Sequence, residues 1–458
     1  MEIEFKLNLY KKKGMLMRIS VKGYKSIVDK KSINLNGLAI ISGANSTGKS
    51  SFMQPFLILK QTVENNTDGD SLVINGENTN LTESTQIINR FNGENQFSVY
   101  VESEESKKKE ESKATFTYTA QDGFTASEAF TSGGKRDIFL KRKMSKEEIS
   151  AESVKIDILE DKTASGFFKG LNLNSDDFNW KIGRSKPFLT LELTPKNAKD
   201  KRLNFFSIGY SPNKRIESFV EDIIHVPGIR SNPERQYKLE RYSTKYQGRF
   251  DKYIASIIYN WCKKKDGKLE KLKDMLSYIG LASNIEAKKI NEAHISIDIS
   301  RVMGSTSEDM VNLSDVGFGI SQVLPVLVSL IEAKKKNIVF IEQPEIHLHP
   351  QAQFKLSKIV CDSVREGKKI IIETHSSIFI RGIQIEVAEK SLSPELFSLN
   401  WFSQNEKGNT EISEATLDEN GAFGEWPSDF DDTYMNVEDR YLSAVENNMF
   451  SNLSNQSE

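Results

Sequence analysis

Residues 43–50 read GANSTGKS, and the reading of these eight residues decides the fold. They fit the pattern G-x-x-x-x-G-K-[ST]. Gly43 and Gly48 let the backbone wrap a phosphate chain with its amides pointing inward, past Ala44, Asn45, Ser46 and Thr47. Lys49 is placed to reach β and γ phosphates, and the Ser50 hydroxyl, next to Ser51, to ligate Mg²⁺. Upstream, LAIIS (38–42) is a short apolar run that reads as a strand; downstream, SFMQPFLILKQTV (51–63) carries apolar residues at helical spacing. Strand, glycine-rich turn and helix are the context a phosphate loop requires.

Three further stretches extend that reading. NIVFIE (337–342) reads as a buried strand ending in Glu342, a carboxylate that can hold the Mg²⁺ hydration shell beside Ser50. The following residue, where many ATP-hydrolysing machines carry a second carboxylate to activate water, is Gln343; Glu345 lies two residues on and is the alternative acid. IIIETHSS (370–377) ends another strand and sets His375 at the carboxyl edge of the sheet, where ligands of open α/β sheets bind. LSDVGFGISQ (313–322) offers Ser314, Gly317, Gly319, Ser321 and Gln322 ahead of a long apolar helix, by spacing either a phosphate-binding helix start or a flexible turn. His347 and His349 are two residues apart with no third ligand nearby, which does not make a zinc site.

The chain has 458 residues, 38% of them hydrophobic, enough to bury a substantial core in two to four lobes. A formal net charge of −2 excludes a surface that is basic throughout, although lysine clusters at 263–265 and 334–336 leave nucleic acid open as a partner. Two unpaired cysteines, no apolar run near bilayer length and no secretory leader lead to the expectation of a cytoplasmic protein with no membrane contact. Residues 1–14 are read as an extension or a misassigned start, and 15–245 as an N-terminal ATPase lobe with a β-rich subdomain. Residues 246–290 are read as an inserted helical lobe, 291–432 as a C-terminal ATPase lobe and 433–458 as a polar tail. Within the first lobe, the charge run ESEESKKKEESK (102–113) is expected to be a solvated hairpin tip or loop and not a binding element.

In order, the phosphate loop, the glycine turn, IEQPEIHLHP and ETHSS resemble the ABC-type ATPases related to RecF, SMC proteins and the OLD family. The chain is also similar to the AAA/OLD-like ATPases of bacterial anti-phage defence loci, such as the ATPase components of Septu and PARIS. HVPGIRSNPERQY (225–237) and the tail GEWPSDFDD (424–432) resemble one uncharacterised branch of these. The resemblance implies an α/β P-loop NTPase fold of the RecF/SMC/OLD type, with a mixed sheet, a β-rich subdomain and an inserted helical lobe. It also implies ATP and Mg²⁺ as cofactors, a homodimer or higher oligomer sharing ATP between protomers, and the 313–322 turn as a signature acting in trans. Two departures matter: the turn is not L-S-G-G-Q, and Gln343 stands where the usual base would. OLD enzymes carry a nuclease domain after the ATPase, whereas here no acidic constellation of that type follows His375, which leads to the expectation of an effector, a nuclease or toxin, in trans. The sequence therefore reads as a nucleotide-driven switch, with a RecF-like DNA-binding repair ATPase as the alternative.

Overall fold

A computed structural model describes residues 16–65, 69–89, 93–105, 108–133, 137–156, 178–196, 208–243, 245–300, 309–424 and 439–445. The N-terminal extension and most of the GEWPSDFDD tail lie outside the described residues.

The central sheet has the strand order Ile223–Val226, Ile338–Glu342, Lys369–Glu373, Leu38–Gly43, Phe397–Gln404 and Thr410–Ala415. The first five strands run parallel and the last is antiparallel to its neighbour. Burial on both faces explains the near-continuous apolar runs that mark these strands in the sequence. Successive residues serve opposite sides. Leu38, Ile40, Val339, Ile341, Ile370 and Ile372 join one core with the helices Ile254–Lys264, Gly267–Ile279, Phe318–Glu332, Pro350–Arg365 and Ser377–Ala388. Ala39, Ile41, Phe340 and Ile371 join a second core with the helix Lys49–Glu64 and an antiparallel sheet. The helices of the segment 246–290, read as an inserted helical lobe, share the first of these cores with the central sheet.

That antiparallel sheet has the order Lys31–Asn34, Leu16–Lys22, Gln96–Glu105, Lys108–Thr119, Gly123–Ser132 and Ile138–Lys141. Most of the charge run at 102–113, expected to be a solvated tip, lies on two of its paired strands. Glu102 is buried there between Lys30 and Lys109, so the charges pair across strands as well as facing solvent. Two smaller sheets complete the β-rich part. One contains Phe178–Ser185, Phe188–Pro195 and Ile208–Tyr210; the other contains Tyr237–Lys238, Asn284–Lys289, His294–Ser300 and Met310–Asn312. Among the described residues, no helix is long and apolar enough to cross a membrane.

Parallel register carries the carboxyl ends of the central strands to one edge. Glu342 sits opposite Glu373, Glu373 opposite Ile41, and Gly43 opposite Phe402. The phosphate loop, both glutamates and the turns that follow them are therefore assembled by strand pairing, before any side chain contact is counted.

Phe340 lies on the strand that carries Glu342, has no exposed surface, and packs into the core shared with the helix Lys49–Glu64. Phe340→Ala should destabilise the protein by about 3–5 kcal/mol, the usual cost of emptying a buried aromatic site, read as a lower urea midpoint.

Candidate nucleotide-binding site

The loop between the strand Leu38–Gly43 and the helix Lys49–Glu64 is braced from the far edge of the sheet. Thr410 donates its hydroxyl to the Thr47 carbonyl at 2.9 Å, and the Gln404 side chain donates to the Ser46 carbonyl at 2.8 Å. Both glycines are required by this bracing. Gly43 has φ +141°, and a Cβ there would meet the Phe402 carbonyl oxygen at 2.1 Å; Gly48 has φ +97°, and its Cβ would meet the Thr410 hydroxyl at 2.3 Å. Inside the loop, Thr47 closes a turn onto the Ala44 carbonyl at 2.8 Å. Ala44, Asn45, Ser46 and Ser50 are exposed and Ser51 is half-buried.

Lys49 is buried, and its ammonium donates to the carbonyls of Gly43 at 3.1 Å and Ala44 at 2.5 Å. Burial lowers its pKa, with Glu373 pulling the other way, and it forms no ion pair among the described residues. A buried cation resting on neutral carbonyls is stabilised by any anion that can reach it.

The carboxylates are arranged less simply than their order in the sequence suggests. Ser50 donates its hydroxyl to Glu373, at 2.9 Å and 3.2 Å from the two carboxylate oxygens. Its proposed companion, Glu342, points elsewhere: one oxygen lies 3.2 Å from His225 Nε2, and the other accepts the Gly228 amide at 2.9 Å. Burial opposes the charge of Glu342, yet His225, the Gly228 amide and nearby Arg230 hold its carboxyl below the ordinary range. Glu373 shows the opposite balance. Burial and the charge of Glu342 push it up to about 7, although Ser50 and Lys49 favour its charged form.

Gln343 adopts φ +44°, a left-handed conformation uncommon for a residue with a side chain. Its amide donates to the Glu373 carbonyl at 2.7 Å, while Arg230 Nη2 donates to the carbonyls of Glu342 at 2.7 Å and Gln343 at 3.3 Å. Two neighbouring loops thus hold the turn. Glu345 neither faces solvent alone nor caps the next helix: its Oε1 accepts the His375 amide at 2.9 Å, and its buried Oε2 has no partner. Capping falls to His349, whose Nδ1 accepts the Gln351 amide at 3.3 Å. The His375 side chain is exposed at the same edge; partial burial and Lys49 depress its pKa against the pull of Glu345, which favours the neutral imidazole.

The signature-like residues divide into two groups. Gly317 and Phe318 are exposed where the helix Phe318–Glu332 begins, and Ser314, half-buried, shares Asn312 Oδ1 with its own amide. Ser321 and Gln322 are buried within their own chain: the Ser321 hydroxyl donates to the Phe318 carbonyl at 2.9 Å and the Gln322 amide to the Ser231 carbonyl at 3.3 Å. Gly319 lies close to the 343–348 turn, since a Cβ there would come within 2.9 Å of the His347 carbonyl oxygen.

His225, Gly228, Arg230 and the role of Glu373 were missed in the sequence. HVPGIR begins on the buried strand Ile223–Val226 at the same sheet edge, and Glu373 directly precedes the Thr-His pair, but their roles depend on strand pairing that the sequence does not display.

These residues fit a magnesium nucleotide. No amide from Asn45 to Gly48 has an acceptor among the described residues, Lys49 lacks an anion, and Glu345 Oε2 and two nitrogens of Arg230 are buried without partners. No three His, Cys, Asp or Glu side chains among the described residues form a metal site by themselves. That suits Mg²⁺, which binds through one or two protein oxygens together with phosphates and water.

Three solved structures share the general outline. The SMC head domain from Thermotoga maritima is 11% identical with a TM-score of 0.41, over 87% of this chain and 98% of that one. An SMC head bound to the C-winged helix domain of ScpA is 12% identical with a TM-score of 0.45, over 88% and 98%. An SMC head with an extended coiled coil, bound to the C-terminal domain of ScpA derived from Pyrococcus furiosus, is 10% identical with a TM-score of 0.42, over 88% and 97%. No curated protein matches the chain. The family described as AAA ATPase domain matches residues 15–380, across the phosphate loop, the glycine turn and both glutamate-bearing strands, and the chain belongs to that family.

Proposed function

We propose that this ATPase is a Mg²⁺-dependent switch that hydrolyses ATP slowly, assembles as a homodimer or higher oligomer, and controls a nuclease or toxin partner in antiviral defence. The observation that carries the nucleotide reading is Lys49, a buried ammonium held on two neutral carbonyls inside a loop of unfilled amides. A triphosphate is the anion suited to that cradle, and the amides would bind it along its length. Mg²⁺, when bound, would supply neutralisation of the phosphate charge. The protein groups would position what reacts: Ser50 and the strand-end carboxylates are the oxygens that would hold the metal, and His375 can donate to a γ-phosphate oxygen.

Slow turnover follows from Gln343. An amide cannot take a proton, but phosphoryl transfer passes through a loose transition state in which orientation and charge dominate, so a glutamine can still orient water. Loss of a general base typically costs ~10²–10⁴ in rate. Glu345 is the other group suited to the task, since it is tied to the His375 amide and retains an unpartnered oxygen.

The assembly reading rests on the exposed start of the signature helix, where Ser314, Gly317 and Phe318 are available to a second copy while Ser321 and Gln322 are not. The effector and the defence setting rest on the motif order, which is similar to that of AAA/OLD-like ATPases from defence loci.

ATP turnover of the wild type, Gln343→Glu and Glu345→Gln separates the catalytic roles. Gln343→Glu should speed hydrolysis about 10-fold or more, and Glu345→Gln should slow it by ~10²–10⁴ if Glu345 acts on the water. A wild-type rate unaffected by either change would place the catalytic group elsewhere.

Affinity purification from the native host, with ATP or with a non-hydrolysable analogue, tests the switch. A nuclease or toxin should be retained in one nucleotide state and released in the other, and Lys49→Ala should abolish the difference. Retention that is independent of nucleotide in both proteins would contradict the proposal.

A further inference from the structure

We infer that the cavity lined by Tyr242, Ser243, Tyr246, Glu332, Lys334 and Asn337 is a second nucleotide site, which takes a base against the tyrosines and a single phosphate on the lysines. Its volume, about 270 Å³, is just below the range that holds drug-sized ligands and suits one ring system. Lys334 and Asn337 come just before the strand Ile338–Glu342, whereas the phosphate loop follows the carboxyl end of the parallel strand Leu38–Gly43. The cavity therefore lies at the opposite edge of the central sheet from the phosphate loop. Its effect on ATP binding rests on the switch reading above; its own occupancy does not.

The first argument is a preformed aromatic face. Half-buried Tyr242 stacks on buried Tyr246, with ring centroids 5.7 Å apart and planes at 27°. Tyr253 packs against both rings, and Phe250 meets Tyr246 edge-on at 4.7 Å. The hydroxyls are anchored too: Tyr242 accepts the Asn260 side-chain amide at 2.9 Å, and Tyr246 donates to Glu332 at 2.8 Å. Rings held in this way offer a rigid π-surface at the cavity wall, and every nucleobase has a flat face to lay against it.

The second argument is unpaired positive charge. Glu332, the carboxylate of the lining, already accepts from Tyr246, from Trp261 Nε1 at 3.0 Å and from Lys268 Nζ at 2.7 Å. Trp261 and Lys268 flank Lys263–Lys265 in sequence, and Lys334–Lys336 begin two residues after Glu332, so this one carboxylate draws both lysine runs together. The other acids around them are engaged. Asp222 pairs with Lys336, Glu221 with Lys245, and Glu366 with Lys271 and Lys368, while Asp266 caps its helix through the Lys268 amide. Lys263, Lys264, Lys265, Lys334 and Lys335 are exposed and form no ion pair among the described residues. A phosphate beside Lys334 would find cations with no competing carboxylate.

The third argument is the connection to the phosphate-loop helix. The Tyr246 carbonyl accepts Lys60 Nζ at 2.9 Å, the Gly248 amide donates to Glu64 at 2.9 Å, and Lys60 pairs with Glu64 at 2.5 Å. Lys60 and Glu64 close the helix whose first residue is Lys49. An occupant that shifts residues 242–246 thus acts on the far end of that helix. The ligand is a base carrying one phosphate, which lacks the β and γ groups that Lys49 is placed to reach; a free mononucleotide and the end of a nucleic-acid strand both present it.

The test titrates AMP, GMP, CMP and UMP, and separately a short oligothymidylate, into the full chain by calorimetry, for the wild type, Lys49→Ala, Tyr242→Ala, Tyr242→Phe and Lys334→Glu. A mononucleotide should bind the wild type and Lys49→Ala equally; binding of the oligonucleotide alone would identify a strand end as the source. Tyr242→Ala should weaken that binding about 5- to 150-fold, the value of one base–aromatic stack. Tyr242→Phe should retain it, which separates lost stacking from a damaged fold, and Lys334→Glu should weaken it about 10-fold or more. Saturation with the ligand should shift the ATP affinity of the wild type about 5-fold or more, the low end of typical coupling between two sites. No binding by any of these probes would overturn the inference, as would binding that is lost in Lys49→Ala and survives Tyr242→Ala. Binding at Tyr242 with ATP affinity unmoved would overturn the coupling. Failure of the wild type to bind ATP would refute the phosphate-loop reading, a different result from each of these.

Discussion

Two glutamates ending adjacent parallel strands, Glu342 directly opposite Glu373, set the constraint around which the site is built. Neighbouring strands bring such carboxylates to within about 5 Å at the backbone, at the edge of a sheet whose interior is apolar on both faces. Like charges that close destabilise one another unless each finds a partner of its own. The fold separates them. Glu342 leans toward the outer strand, where His225 and the Gly228 amide receive it, and Glu373 leans toward the phosphate loop, where Ser50 and Lys49 stand. Glu342 is thereby tied to the 225–230 turn and Glu373 to the Ser50 hydroxyl.

The same division explains why the 225–235 turn is closely tied to the rest of the site. Arg230 is almost fully buried and bonds the carbonyls on either side of the bond linking Glu342 to Gln343, holding Gln343 in its left-handed conformation. Ser231, next in sequence, accepts the Gln322 amide, and Arg235 pairs with Asp315 through two hydrogen bonds. The glutamine turn and the signature helix are consequently joined through one short segment. A displacement of Gln343 has direct contacts through which to reach the exposed start of the helix Phe318–Glu332. Glu345 makes the corresponding link on the other side, to the His375 amide.

Much of the architecture was legible in the sequence because burial on both faces writes a strand as a continuous apolar run, and LAIIS, NIVFIE and IIIET are such runs. The phosphate loop was legible because Gly43 and Gly48 are positions where a side chain would collide with the opposing strand and with Thr410. The partner of Ser50 was harder to read. Sequence order places NIVFIE before IIIET but says nothing of which strand lies beside Leu38–Gly43; only pairing shows that Glu373 is the nearer. Arg230 and His225 were hidden for the same reason, since their roles depend on a strand added at the far side of Glu342. The signature turn was half legible: glycines and an apolar helix mark the element, but the burial of Ser321 and Gln322 depends on their helical phase against the 231 turn.

The central claim is that the loop from Gly43 to Ser50 is a phosphate cradle whose lysine is held on backbone carbonyls until an anion replaces them. A crystal structure of the protein with Mg²⁺ and a non-hydrolysable ATP analogue tests this most directly. The account requires the triphosphate to lie along the amides of residues 44–50, with the Lys49 ammonium moved from the carbonyls of Gly43 and Ala44 onto phosphate oxygens. A nucleotide bound elsewhere on the chain, with Lys49 still resting on those two carbonyls, would contradict it.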